Sequence, residues 1–257
     1  MGEIKIVVID FDGTALGGYE PYDRFPDRFS NFLDKISKKG ILWATCTTWH
    51  PYIQDMVFKK SGLKSRPIRV IGRTSMECGL YKNGKIYLDA EWNHQFLCYK
   101  VEFEEKYLNY VRNYIKSVSE IISITEYFDY IFSLKFKCKR EEITQILSAD
   151  VIIKEKTYFI FLSDNNSLQI FPWYLSKGIS IKKLKEKLKL SKENILIAGD
   201  GVNDLPMFDK EIADYFVCPD NSDLEVKERI KKIGGFISKY KFSDGVIDGI
   251  NRIVNTY

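Results

Sequence analysis

Residues 4–14 read Ile-Lys-Ile-Val-Val-Ile-Asp-Phe-Asp-Gly-Thr, an almost unbroken apolar run that stops at two acids separated by one residue. A run this continuous is typical of a strand that is buried on both faces in a parallel sheet. Side chains alternate along an extended strand, so Asp10 and Asp12 should point to one side and Phe11 to the other. Ligands of open α/β sheets bind beyond the carboxyl ends of the strands. The two acids therefore mark a candidate ligand site, where a divalent cation would relieve their mutual repulsion.

The composition excludes several classes of protein. The 257 residues are 45% hydrophobic, which is enough for a full core and one or two domains. A dispersed net charge of +4 does not favour a nucleic-acid partner. No apolar run approaches the roughly 20 residues that cross a bilayer, so we expect no membrane partner. Five widely spaced cysteines favour reduced thiols and a cytoplasmic location, and the acid-bearing first strand is not expected to be a cleavable leader.

Both ends of the chain alternate strand and helix. Apolar runs predict further buried strands at 41–45, 69–72, 194–198 and 215–217. Asn83-Gly84 predicts a hairpin turn between strands in the stretch from Tyr81 to Leu88. Apolar residues at helical spacing between the runs predict the helices that cover the sheet.

The middle of the chain has a different pattern. Its predicted elements are an amphipathic helix at 99–119, an alternating strand at 131–139, and strands near 151–154, 157–162 and 168–172. The alternation indicates an antiparallel sheet with one solvated face. The predicted fold is therefore a doubly wound, mainly parallel Rossmann-like α/β core over residues 1–84 and 168–257, with an α+β cap domain inserted at 85–167.

Polar residues follow the predicted core strands at four points along the chain. They are Asp10 with Asp12, Thr45, Lys177, and Asp200 with Asn203 and Asp204. Carboxylates that converge at strand ends form an oxygen-rich site suited to Mg²⁺. A hydroxyl and an ammonium group would offset the charge of a phosphoryl group during its transfer. Each element alone is ordinary turn or surface sequence, and their joint occurrence is what indicates a site.

These motifs resemble those of the haloacid dehalogenase superfamily of phosphotransferases, and most of all its Cof-type (subclass IIB) sugar phosphatases. The matching stretches are DFDGT at 10–14, ATCT at 44–47, SKG at 176–178 and GDGVND at 199–204. The resemblance covers nearly the whole chain, and the insert lies where this subclass carries its cap. Residues 88–93 are also similar, over a short length, to sucrose-phosphatase-like members.

The resemblance implies a catalytic pair and a cofactor. Asp10 would attack phosphorus and form an aspartyl-phosphate, and Asp12 would protonate the leaving group and later activate water. Mg²⁺ would be held by the Asp10 carboxylate, the Asp12 backbone carbonyl and Asp200, with Asp204 supporting the metal.

The resemblance also implies phosphate-binding residues. Thr45 and Lys177 would hold phosphate oxygens, and Asn203 would contact phosphate or the leaving group. One motif departs from the family pattern, because Cys46-Thr47 stands where the family has Gly-Arg after the threonine. A threonine does not replace the bidentate arginine, and we expect Cys46 to be a small packed residue.

The first functional hypothesis is a Mg²⁺-dependent phosphatase that acts on a small phosphorylated metabolite, with a sugar phosphate as the first candidate. The first alternative is a sugar phosphomutase that uses the same aspartyl-phosphate. The second alternative is a non-catalytic protein that binds a phosphorylated metabolite. The sequence leaves the substrate's identity and the oligomeric state open.

Overall fold

The apolar run at the start of the chain forms strand β1 (Ile6–Ile9), and all four of its residues are buried, as the sequence predicts. The computed structural model describes residues 3–18, 22–162, 164 and 166–255. The described residues fall into two compact units, Met1–Asn93 with Lys177–Tyr257, and His94–Ser176.

The first part of the chain alternates helices and strands before it ends in a hairpin. After β1 its elements are α1 (Asp27–Lys38), β2 (Leu42–Cys46), α2 (Pro51–Lys60), β3 (Arg69–Gly72), β4 (Glu77–Lys82) and β5 (Lys85–Leu88). The predicted hairpin is confirmed, since Lys82 pairs with Lys85 across the turn. Asn83 and Gly84 both have positive φ there, as this type of two-residue turn requires.

The middle part carries a four-stranded antiparallel sheet in the order β6-β7-β9-β8. Its elements are α3 (Ala90–Lys106), α4 (Leu108–Ser117), β6 (Ile121–Tyr127), β7 (Ile131–Phe136), α5 (Arg140–Ala149), α6 (Val151–Lys156), β8 (Thr157–Phe161) and β9 (Ser167–Pro172). The alternation predicted for β7 is confirmed, because Phe132, Leu134 and Phe136 are buried and the residues between them are less so.

The last part of the chain resumes the alternation. Its elements are α7 (Lys177–Lys187), β10 (Ile195–Ala198), a 3₁₀ segment (Val202–Met207), β11 (Tyr215–Cys218), α8 (Leu224–Lys232), β12 (Phe236–Ile237) and α9 (Phe242–Asn255). These strands join those of the first part in an eight-stranded sheet of order β12-β11-β10-β1-β2-β3-β4-β5.

This larger sheet is parallel from β12 to β3, and β4 pairs antiparallel with both β3 and β5. Strand β1 lies between β2 and β10, so that Ile9 has Thr45 on one side and Ala198 on the other. The strand order reverses at β1, and such a switch point is where open α/β sheets bind ligands. The doubly wound, mainly parallel α/β fold is therefore confirmed.

One face of the parallel sheet packs on helices from both ends of the chain. Val7, Ile9 and Trp43 on this face belong to one core cluster with Phe29 of α1 and Phe58 of α2. The ring centroids of Trp43 and Phe58 are 5.4 Å apart, edge to face. Fully burying an aromatic side chain of this kind contributes about 2–3 kcal/mol, so this face anchors β1 and β2 firmly.

One predicted element of the middle part is wrong, and another differs in its bounds. The strand near 151–154 is instead helix α6, because the Asp150 carboxylate caps it by accepting a hydrogen bond from Ile153 N at 2.9 Å. The helix predicted over 99–119 starts earlier, at Ala90, and is interrupted at Tyr107, whose ψ of −27° accompanies a φ of −120°.

The two units divide the chain at 93/94 and 176/177, nine residues beyond the predicted boundaries of 84/85 and 167/168. Strand β5 stays with the first unit because it pairs with β4. Strand β9 stays with the second unit because it pairs with β7 and β8. The role of the second unit as a cap remains a prediction.

Among the described residues, no helix has both the length and the apolarity that a membrane span requires. All five cysteines are free thiols, at positions 46, 78, 98, 138 and 218.

Candidate active site

A buried lysine joins two of the predicted acids. Lys177, the first residue of α7, donates from Nζ to Asp10 Oδ1 at 2.7 Å and to Asp204 Oδ1 at 2.5 Å. Lys177 is 2% exposed, Asp10 4% and Asp204 0%. Asp10 follows β1 and Asp204 lies in the 3₁₀ segment after β10, so the parallel pairing of these strands brings the acids to one edge of the sheet.

Asp200 completes a group of three carboxylates. One oxygen from each of Asp10, Asp200 and Asp204 lies within 4.8 Å of the other two. The Thr14 hydroxyl donates to Asp200 Oδ1 at 2.5 Å. Asp204 Oδ2 accepts from the backbone N–H groups of Asp200 at 2.9 Å and Gly201 at 3.1 Å. Both carboxylate oxygens of Asp204 are thus held by hydrogen bonds, whereas Asp10 and Asp200 each have a less constrained carboxylate oxygen.

Glycine at position 13 lets the loop after β1 pass close to Asp200. Gly13 has a φ of +78°, and a Cβ there would lie 2.0 Å from Asp200 Oδ2. Asn221 holds the same loop, since its Nδ2 donates to Gly13 O at 2.7 Å. Sequence reasoning missed Asn221, although its position three residues after β11 places it at the same edge of the sheet.

The electrostatics of the group fit a divalent cation. Burial raises the pKa of Asp10 well above its usual range, and the charge of Asp204 adds to the effect. Burial likewise raises the pKa of Asp200 to about 7, against the hydrogen bond from Thr14 and with Asp204 reinforcing the rise. For Lys177 burial acts to lower the pKa, but the carboxylates of Asp10 and Asp204 outweigh it and raise the pKa. One ammonium group does not balance three carboxylates, and hard oxygen donors are what Mg²⁺ prefers.

Asp12 lies outside this buried group. The chain leaves β1 after Ile9 and turns, with Leu16 N donating to Phe11 O at 2.8 Å. The Asp12 carboxylate is exposed, and its Oδ2 accepts a hydrogen bond from Trp49 Nε1 at 2.7 Å. An exposed carboxylate at the edge of the site is accessible to a leaving group or a water molecule.

Thr45 faces away from Asp10. Ile9 pairs with Thr45 on the face that packs on the helices, and the Thr45 hydroxyl donates to Gln54 Oε1 of α2 at 2.6 Å. The next residues of the two strands, Asp10 and Cys46, point to the other face. For Thr45 to hold phosphate, as predicted from the motif, its hydroxyl would have to leave Gln54.

Cys46, the last residue of β2, interacts electrostatically with Lys177, Asp10 and Asp204. Burial raises the pKa of its thiol to about 12, with the Lys177 charge opposing the rise and Asp10 adding to it. A neutral, fully buried thiol packs as a small apolar group and is not a nucleophile. Sequence reasoning gave Cys46 a packing role but did not place it beside Asp10 and Lys177.

Asn203 lies half-buried in the 3₁₀ segment with Asp204. Its Oδ1 sits close above Gly201, where a Cβ would approach that oxygen to 2.5 Å. The structure therefore brings together Asp10, Lys177, Asp200 and Asp204, with Asn203 on the same short segment.

Comparison with known proteins gives the family. A family model for haloacid dehalogenase-like hydrolases matches residues 73–250. The phosphoglycolate phosphatase of Thermoplasma volcanium is 32% identical to this chain over 258 residues, which cover 95% of each protein. The chain therefore belongs to the haloacid dehalogenase-like hydrolases, as its Cof-type motifs predict, and is a phosphatase of that superfamily.

Solved structures show the same fold. The sucrose-phosphatase of Synechocystis, determined with sucrose and phosphate, superposes with a TM-score of 0.65 at 15% identity over 98% of both chains. A haloacid dehalogenase-like hydrolase of Bacillus subtilis superposes with a TM-score of 0.62 at 14% identity, over 99% of this chain and 94% of that one. At such identities the likeness concerns the fold alone.

The raised pKa of Asp200 predicts how the stability of the metal-free protein depends on pH. The folded state binds a proton at Asp200 up to about pH 7, whereas the unfolded chain releases it near pH 4. Stability is therefore lost as pH rises through this window. With EDTA present, we expect Tm to be roughly 4 °C lower at pH 8 than at pH 5.5.

The control for this prediction is Asp200→Asn, in which the part of the pH dependence due to Asp200 disappears. Adding Mg²⁺ to the unmodified protein at pH 8 should raise Tm, because a bound cation stabilises the folded state. A metal-free protein whose Tm shows the same pH dependence with and without the substitution would contradict the assignment.

The hydrogen bond between Thr45 and Gln54 predicts the effect of Thr45→Val. Gln54 Oε1 would become a buried acceptor without its hydrogen-bond donor, so the free energy of unfolding should fall by about 1–3 kcal/mol. Inhibition by inorganic phosphate should not change, because the hydroxyl faces away from Asp10. Thr48→Val, at an exposed hydroxyl, should change neither quantity. Weaker phosphate inhibition in Thr45→Val alone would instead support a phosphate-binding Thr45.

Proposed function

We propose that this phosphatase uses Mg²⁺ to hydrolyse small phosphorylated metabolites through an aspartyl-phosphate formed on Asp10. The observation that carries the proposal is the group of Asp10, Asp200 and Asp204, with oxygens within 4.8 Å of one another, beside the buried Lys177 ammonium. Nucleophile, cation ligands and a fixed positive charge are the parts that phosphoryl transfer requires.

Asp10 is suited to nucleophilic attack because its position is rigid. Its backbone N–H still donates to Ala198 O of β10 at 3.0 Å, so the residue continues the sheet. Lys177 fixes Oδ1, which orients the carboxylate toward a reacting phosphorus. The same ammonium group would offset the charge that develops on phosphoryl oxygens.

The carboxylates of Asp10 and Asp200 and the backbone carbonyl of Asp12 would hold the metal ion. When bound, Mg²⁺ supplies positive charge that lets an anionic phosphate approach an anionic nucleophile. Asp204 would support it indirectly, because both Asp204 oxygens already accept hydrogen bonds, from Lys177 and from backbone N–H groups.

Asp12 would act as acid and then as base. In the first step it would protonate the leaving oxygen, and in the second it would take a proton from the attacking water. The exposure of its carboxylate supports this role. Lys177 would hold phosphate oxygens, and Asn203 would contact phosphate or the leaving group. Thr45 would hold phosphate only if its hydroxyl left Gln54.

The substrate is proposed to be a small phosphorylated metabolite. A sugar phosphate is the first candidate, following the Cof-type resemblance, and phosphoglycolate is the second, because the Thermoplasma volcanium relative bears that name. The inserted unit, residues 94–176, would act as the cap. No observation favours the phosphomutase, and the presence of every chemical group that hydrolysis needs argues against a purely binding protein. Five free thiols support a cytoplasmic location.

Asp10→Asn tests the nucleophile. The amide oxygen can still accept from Lys177, so the fold should be retained while turnover of 4-nitrophenyl phosphate with Mg²⁺ falls on the order of 10⁴-fold or more. Acid-quenched, unmodified protein should carry one phosphoryl group on the peptide that contains Asp10, as measured by mass spectrometry.

Asp27→Asn is the matched control, since Asp27 is an exposed acid in the first turn of α1. It should retain full turnover. Undiminished activity in Asp10→Asn, with phosphorylation found elsewhere or nowhere, would remove Asp10 as the nucleophile.

A further inference from the structure

Trp49 is hydrogen-bonded to Asp12, the proposed acid and base of the site. It lies in the loop between β2 and α2, and its indole Nε1–H donates to Asp12 Oδ2 at 2.7 Å. Within the part of the chain that the structure describes, no hydrogen bond reaches the other carboxylate oxygen, Asp12 Oδ1. The two oxygens of Asp12 are therefore not equivalent.

The indole itself is held in place by its surroundings. Its ring meets the ring of Phe11 edge to face, with centroids 5.8 Å apart. Its backbone carbonyl accepts a hydrogen bond from Gln54 Nε2 at 2.8 Å. The same carbonyl packs so closely on Gly72 that a Cβ there would lie 2.2 Å from it. The loop after β1, helix α2 and the end of β3 thus fix both the backbone and the ring of Trp49.

We propose that Trp49 is a positioning residue that aims Asp12 Oδ1 for proton transfer, an inference that rests on the proposed role of Asp12 as acid and base. An indole N–H donates a hydrogen bond but accepts no proton. With Oδ2 occupied by that donor, the transferable proton resides on Oδ1. The bond from Trp49 is compatible with the protonated and the ionised carboxyl, so the orientation is kept through both steps.

Asp12 Oδ1 gives up its proton in the first step and takes one back in the second. As Asp10 attacks phosphorus, the bond from phosphorus to the leaving oxygen breaks, its electron pair stays on that oxygen, and the proton on Asp12 Oδ1 moves to it. A water molecule then attacks the phosphorus of the aspartyl-phosphate and gives one proton to Asp12 Oδ1. The bond from phosphorus to Asp10 breaks, which releases inorganic phosphate and restores both acids.

Trp49→Phe separates proton delivery from the rest of the reaction. The variant retains an aromatic ring beside Phe11, but it loses the indole N–H together with one ring of the bicyclic side chain, a loss of ring volume that the Trp43→Phe control shares. The two probes are phenyl phosphate, whose leaving group is strongly basic and needs the proton, and 4-nitrophenyl phosphate, whose leaving group hardly needs it. kcat/KM covers the steps up to release of the leaving group. We expect it to fall on the order of 10- to 100-fold for phenyl phosphate and less than about 3-fold for 4-nitrophenyl phosphate.

The control is Trp43→Phe, which removes another indole N–H of the same unit. Trp43 donates to Ser65 Oγ at 3.3 Å on the helix-facing side of β2. This variant should keep the unmodified ratio of kcat/KM for the two substrates, whatever its stability. Equal losses on both substrates in Trp49→Phe, or an unchanged ratio, would overturn the positioning role while leaving the hydrolase proposal intact. If the unmodified protein hydrolysed neither substrate, the hydrolase proposal and this inference would fall together.

A spectroscopic measurement tests the hydrogen bond from Trp49 to Asp12, on which the inference depends, even if Trp49→Phe does not fold. In ¹H–¹⁵N spectra, the indole resonance of Trp49 should move upfield in Asp12→Ala, because the proton loses its acceptor, while the Trp43 resonance stays in place. A Trp49 resonance that is indifferent to Asp12→Ala would overturn the inference.

Discussion

The Lys177 ammonium, buried between Asp10 and Asp204, is the interaction on which the site depends. Lys177 lies 167 positions after Asp10 and 27 positions before Asp204 in the chain. All three side chains are almost completely buried. Removing one partner of such a buried pair leaves an uncompensated charge, which destabilises a protein by about 3–5 kcal/mol. The contact therefore forms only when β1 pairs correctly with β10 and the first turn of α7 is correctly placed.

The excess of acid over base gives this group its chemistry. Lys177 satisfies one oxygen of Asp10 and one of Asp204, and backbone N–H groups satisfy the other oxygen of Asp204. Asp200 adds a third carboxylate, and among the described residues the Thr14 hydroxyl is its only side-chain donor. Buried carboxylates this close together raise one another's pKa, and a divalent cation would remove that repulsion. Mg²⁺ is proposed for this reason as well as from the family.

The sequence predicted most of the features that follow from strand pattern and motif. The apolar run of β1, the hairpin turn at Asn83-Gly84 and the parallel α/β core depend on local pattern and known packing rules. The meeting of Asp10 with Asp200 follows from the rule that parallel strands end at the same edge of the sheet.

Other features depend on register and on long-range contacts, which sequence patterns do not contain. Thr45 and Cys46 exchange sides of the sheet with a shift of one residue, and only the pairing of Ile9 with Thr45 decides between them. The hydrogen bond from Trp49 to Asp12 requires the shape of two loops. At 151–154 the β-branched residues suggested a strand, but the side-chain cap at Asp150 favours a helix.

The central claim is that acids from both ends of the chain hold one divalent cation beside Lys177. The most direct test is calorimetric titration of Mg²⁺ into the metal-free protein, with Asp200→Asn and the exposed-site variant Asp27→Asn alongside. The account predicts one cation per chain, an affinity weaker by on the order of 100-fold or more in Asp200→Asn, because loss of a direct ligand should cost at least as much as loss of an outer-shell partner, and no change in Asp27→Asn. Equal affinity in all three proteins would contradict it.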